Sequence, residues 1–243
     1  MVNVYEVGGV VRDRILGREN KDIDFTVEMS SFEEMREWVS SFADTIYKIP
    51  NGEKNFCVRA RCIDNPFEFG GKKFYGDIDF ALCRRESGYS DGRHPDYVMV
   101  GDINSDLARR DFTMNAIARD VETGEIIDPF NGRTDIENHI IRAVGNASDR
   151  MNEDPLRLLR AMRFSVTLGF EIHNDIKELL NAYFIMRMVE TVSMERIKDE
   201  LNKMFHANTL RTLMILEEFP GISSAIFGEG GTGLWLKVTN EKR

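Results

Sequence analysis

The chain has 243 residues, 42% of them hydrophobic, 30% charged and 10% aromatic, which suits a globular protein large enough for one domain or for a catalytic domain with a smaller annex, and excludes a disordered or fibrous chain. No apolar run reaches membrane-spanning length and the start lacks the pattern of a secretory leader, so a cytoplasmic protein with no membrane partner is expected. The net charge is −9, with 17 basic and 22 acidic side chains in residues 1–120 and 15 and 19 in the remainder, so any nucleic-acid contact must be local rather than a broad basic face.

In chain order, residues 2–7 read as a strand, Gly8-Gly9 as a turn, and residues 10–16 as a short helix stopped by Gly17. Residues 22–27 alternate, with Asp22, Asp24 and Thr26 on one face of a strand and Ile23, Phe25 and Val27 on the other. Ser31 and Glu34 form a capping box before an amphipathic helix running to about Phe42. Strands are expected at 45–49, 55–61 and 77–83, and a mobile loop at 87–102. Asn104 or Ser105 can cap a helix continuing to about Arg119, followed by a strand at 125–127 and a turn at 128–132. Beyond Arg150 the segments 155–167, 175–188, 194–205 and 209–218 read as helices, and 220–233 as a loosely ordered glycine-rich tail. The reading is α+β: a mixed sheet with helices, then an all-helical part.

Cys57, Cys62 and Cys83 have no C-x-x-C spacing, and the four histidines are scattered, so neither a disulfide framework nor a zinc site is indicated. Carboxylates are the stronger signal. Asp22 and Asp24 project from one strand face about 6–7 Å apart, a separation at which hard oxygen donors can hold a pair of magnesium ions. Alone, such a pair is more often a solvated strand face. The Gly8-Gly9 turn into a helix start adds a place where backbone N–H groups can meet a triphosphate. Asp77-Ile78-Asp79-Phe80 repeats the tetrapeptide of residues 22–25, and can be the metal strand itself or lend a carboxylate to the first.

The ordered runs GGVVRDRILG, KDIDFTV, DFALCRRESGYSDGRHP, RRDFTMNAIA, IIDPFNG, EDPLRLLRAMRF and VSMERIKDEL resemble class II tRNA nucleotidyltransferases, the CCA-adding enzymes, and the similar bacterial poly(A) polymerases. The resemblance covers roughly residues 3–205. It implies a polymerase-beta-like nucleotidyltransferase head over residues 1–145, a helical base-recognising neck over 146–205 and a short remnant of a body domain over 206–243. In such a head Gly8, Gly9 and Arg12 cradle the triphosphate, Asp22 and Asp24 bind the metals with Asp79 in support, and Arg110, Asp111 and Asn115 hold sugar and phosphates. Two Mg2+ ions, CTP and ATP as substrates, and a tRNA or other RNA 3′ end as acceptor are what the resemblance implies.

Asp154 and Arg157 are three apart, so on one helix they would place an acceptor beside a donor. Cytosine and adenine present an amino donor next to a ring-nitrogen acceptor, whereas uracil and guanine present the reverse, so the pair would accept C and A. Asp154 before Pro155 is equally an ordinary helix cap. The resemblance favours base selection, and Arg160 and Arg163 continue the same stripe, where they can meet phosphates or the RNA end. Other readings are a poly(A) polymerase or terminal adenylyltransferase, and, from another class, a non-catalytic RNA or nucleotide binder. Family members continue for well over a hundred further residues, so CCA addition to whole tRNA is a narrower expectation than nucleotidyl transfer.

Overall fold

In the computed structural model, which describes residues 2–19, 24–49, 52–92 and 94–228, the apolar run after Met1 forms β1 (Asn3–Val7), and Gly8 turns it into α1 (Gly9–Ile15). β2 (Asp24–Glu28) leads to α2 (Phe32–Ser40), capped by Ser31: the Glu34 N–H donates to Ser31 Oγ at 3.1 Å, while the Glu34 carboxylate reaches back to the N–H of Ser30, one residue before the cap, at 3.3 Å. β3 (Thr45–Tyr47), β4 (Cys57–Phe69) and β5 (Lys72–Leu82) follow, the last two a long hairpin. Both strands outrun the sequence expectation because Asp64-Asn65-Pro66 makes a bulge, not a turn. Asp44 stabilises that bulge by accepting from the backbone N–H groups of Ile63, Asp64 and Asn65 at 2.6–2.9 Å.

β6 (Arg84–Ser87) and β7 (Tyr97–Val100) are an antiparallel hairpin where a mobile loop was expected. After α3 (Ile103–Ala108), capped by Asp102, come a 3-10 turn at Thr113–Asn115, β8 (Ala118–Asp120), β9 (Ile126–Ile127), α4 (Gly132–Glu137) and β10 (Ile140–Ile141). The long helix expected through RRDFTMNA is therefore absent. Phe112 is extended, bridging Ala143, and the Thr113 N–H donates to the Arg142 carbonyl at 2.9 Å, so tertiary pairing overrides helical spacing. The main sheet runs β3-β4-β5-β2-β1-β8-β9, parallel only between β2 and β5. One face packs Val4, Phe25, Val27, Phe80 and Leu82 against Phe32, Met35 and Val39 of α2; the other packs Tyr5, Val7 and Ala118 against Ile103 and Leu107 of α3.

The chain divides into two compact units, Met1–Gly88 with Pro95–Gly145, and Tyr89–His94 with Asn146–Arg243. The second contains α5 (Ala147–Glu153), α6 (Leu156–Leu168), β11 (Glu171–Ile172), α7 (Asn174–Lys177), α8 (Ala182–Thr191), α9 (Met194–Ala207), α10 (Thr209–Glu218) and α11 (Pro220–Phe227). The helix expected at 175–188 is split into α7 and α8, where Asn181 caps α8 through the N–H groups of Tyr183 and Phe184. Part of the expected loose tail is helical instead: Pro220 starts α11, which buries Ile222 and Ile226. No helix among the described residues is long and apolar enough to cross a membrane.

Candidate active site

In the first unit, the second halves of the repeated tetrapeptides lie side by side. β2 and β5 pair in parallel with Asp24 opposite Asp79 and Phe25 opposite Phe80, which puts the two aspartates on one face of neighbouring strands about 4.8 Å apart, and the two rings in the core. Asp24 is exposed at the first residue of β2, whereas Thr26, expected on an open polar face, is buried. Arg59, opposite Asp79 on β4, grips it with both arms of its guanidinium, Nε to Oδ1 at 2.6 Å and Nη2 to Oδ2. Asp77 is held by Arg61 at 3.0 Å and by the Tyr47 hydroxyl at 3.0 Å. Asp22 lies outside the described residues. Two hard oxygen donors on neighbouring strands fit magnesium, which takes one or two protein carboxylates and completes its shell with water and phosphate. No set of three or more metal-ligating side chains stands together among the described residues, so these would supply a sparse shell.

A buried polar chain ties α1 to the 3-10 turn. Arg12 of α1 donates from Nη1 to Asn115 Oδ1 at 2.8 Å, and Asn115 donates from Nδ2 to Asp111 Oδ1 at 3.0 Å. All three residues are at most 9% exposed. Asp111 and Asn115 thus meet, but across a turn rather than along a helix, and they face the protein as a brace between α1 and the 3-10 turn. Gly8 has φ 66°, a conformation that favours glycine, and the Arg110 guanidinium lies close over it, 2.7 Å from where a Cβ would stand. Gly9 is the first residue of α1. Arg110 and Arg109 both hold Asp106, at 3.0 and 2.7 Å, and Arg109 also reaches Glu86 at 3.3 Å. Full burial by itself would raise the Asp106 pKa, but the two guanidiniums outweigh it and hold the carboxyl below its ordinary value.

In the second unit, Asp154 is not on the helix with Arg157. It closes α5 in an extended conformation, and its Oδ1 accepts from the Leu156 N–H at 3.2 Å, so it also serves as the cap of α6. The expected juxtaposition on one helix is thus corrected to a corner between two. Arg157 Nη1 donates to Glu153 Oε2 at 2.8 Å and to the Arg150 carbonyl at 3.1 Å. Arg160 and Arg163 converge on the buried Glu200 of α9, and the Arg163 guanidinium stacks on the Phe164 ring at 3.8 Å.

Residues 4–142 match a family model described as the poly A polymerase head domain. The chain belongs to that family. The chain is 38% identical over 201 residues to a CCA-adding enzyme of Lactobacillus helveticus, covering 82% of this chain and 45% of that protein, and 40% identical over 201 residues to one of Lactococcus lactis, covering 82% and 46%. Among solved structures, the CCA-adding enzyme of Bacillus stearothermophilus in complex with CTP superposes with a TM-score of 0.71 at 32% identity, covering 91% of this chain and 49% of that one. That of Thermotoga maritima complexed with tRNA gives 0.68 at 28% identity, covering 92% and 48%. The chain spans about half the length of the relatives it matches.

Within this poly(A) polymerase head and the helices after it, sequence reasoning missed the partners of the site residues. Arg59, Glu153, Glu200 and above all Arg196, which bonds Asp154 at 2.6 Å, were not singled out. Arg196 lies inside VSMERIKDEL, but a contact 42 positions away leaves no periodicity to read.

Proposed function

We propose that the chain is a template-independent RNA nucleotidyltransferase that adds C and A from CTP and ATP to a tRNA 3′ end in the cytoplasm, releasing pyrophosphate. The observation that carries this reading is the Asp24–Asp79 carboxylate row within a head matched from residue 4 to 142. Magnesium ions on Asp22 and Asp24, with Asp79 in support, would activate the attacking hydroxyl and neutralise the departing pyrophosphate. The Gly8-Gly9 turn and Arg110 receive the triphosphate, while Arg12, Asn115 and Asp111 keep that turn fixed against the segment carrying Arg110. Asp154, as acceptor, and Arg157, as donor, select cytosine and adenine, and Arg160 and Arg163 leave cationic edges for the acceptor RNA. In this reading residues 1–145 are catalytic, 146–205 recognise the base and 206–243 begin a body.

The test supplies magnesium, each labelled triphosphate in turn, and tRNAs ending before, within or after CCA. Incorporation of C then A, stopping at the complete end, is the expected result. A long ladder of A on any RNA would make it a poly(A) polymerase, and no incorporation from any triphosphate would leave a nucleotide or RNA binder.

A further inference from the structure

The corner that carries Asp154 is held from outside its own helices. Arg196 of α9 donates from Nη2 to Asp154 Oδ2 at 2.6 Å and from Nη1 to Oδ1 at 3.4 Å, a two-point fork across 42 residues of sequence. With the Leu156 N–H at 3.2 Å on Oδ1, three donors fix both the position of the carboxylate and its rotation. Arg196 is also the third residue of α9, in the first turn, where the helix dipole disfavours a cation. Its place there is explained by Asp154 and not by the helix it belongs to.

A carboxylate offers about four acceptor positions. Oδ1 is used twice, by Leu156 and Arg196, and Oδ2 once, by Arg196, which among the described residues leaves one acceptor position on Oδ2. The terminal torsion of an aspartate is otherwise broad and roughly two-fold. Without the fork the carboxylate could turn and meet a ring N–H as readily as an amino group. The same α9 face continues this role one and two turns on, where Glu200 takes Arg163 and Arg160, and Lys203 bonds Glu200 at 3.3 Å.

We propose that Arg196 is a specificity-positioning residue: it aims the single remaining acceptor of Asp154 at the exocyclic amino group shared by cytosine and adenine. This rests on the reading of Asp154 as a base-selecting group, so the experiment separates the two. The full chain, Asp154→Ala, Arg196→Ala and Arg196→Lys are titrated calorimetrically with CTP, UTP and inorganic tripolyphosphate in magnesium, with thermal melts as the control for folding. The proposal expects the CTP-to-UTP affinity ratio to fall about tenfold in Arg196→Ala and about threefold in Arg196→Lys, which keeps the charge but loses the fork, while tripolyphosphate binds as in the parent chain. A merely structural arginine would lower all three affinities together and leave the ratio intact. A parental ratio in whichever arginine variant folds, with Asp154→Ala having lost it, overturns the role of Arg196 alone. A parental ratio in Asp154→Ala overturns the base-selecting reading, and the role of Arg196 with it.

Discussion

Asp24 and Asp79 face the same way on adjacent strands, yet their surroundings differ. Arg59 binds both oxygens of Asp79 in a fork, which partly neutralises it and in the proposed function would make it an orienting group, whereas Asp24 stands exposed at the start of its strand. The account therefore separates them by degree. Asp79→Ala should cost roughly 10–100-fold in kcat/KM, the scale of losing outer support for a metal site. Steady-state kinetics over a magnesium titration check this, with the loss partly recovered at high magnesium; a complete loss would promote Asp79 to an indispensable ligand. The sequence signalled both aspartates through the repeated D-I-D-F, because side chains two apart on a strand share a face whatever the fold. It could not signal Arg59, whose role depends on which strand pairs with β5.

At the scale of elements, local grammar was legible wherever it was self-contained. The β1–Gly8–α1 unit, the Ser31 cap of α2 and α10 all stand where the spacing places them. The failures share one cause, pairing with something distant in sequence. RRDFTMNA has helical spacing, but Phe112 and Thr113 find partners at Ala143 and Arg142, and the segment becomes extended and then 3-10. Residues 84–87 and 97–100 alternate exposed and half-buried positions once paired, a pattern hidden by the glycines and charges between them. The 3-10 turn is also locked by α4: a Cβ on Gly132 would lie 2.1 Å from the Thr113 carbonyl oxygen and 2.8 Å from Ile117 Cγ1. Gly132→Ala should thus destabilise the fold by about 1–3 kcal/mol. Thermal unfolding should register this as about 2–4 °C per kcal/mol, and an unchanged melting temperature would mean that the turn is not locked in this way.

Across the whole molecule, the head is tied together by buried carboxylates gripped by arginines. Burial alone would raise Glu6, but Arg14 and Arg119 prevail and hold it low, as Arg109 and Arg110 do for Asp106. A carboxyl whose folded pKa lies below its unfolded value contributes stability that is present above the unfolded value and lost as pH falls through the folded one. Denaturant midpoints should therefore hold steady from pH 7 to about 5 and drop from about pH 4 downward. Asp106→Asn should flatten that drop while lowering stability at neutral pH. A midpoint that stays constant to pH 3 would contradict the picture.

The catalytic claim rests finally on Asp24, at the exposed start of β2 and away from the core that Phe25 and Val27 build. Its removal should leave folding intact and take away the chemistry. The decisive measurement is incorporation of labelled CTP into a tRNA lacking its CCA end, with magnesium, by the parent chain and by Asp24→Ala with a matched thermal melt. The account predicts C addition by the parent and a loss of at least about a thousandfold in the variant; turnover near the parental rate in a folded Asp24→Ala protein would contradict it.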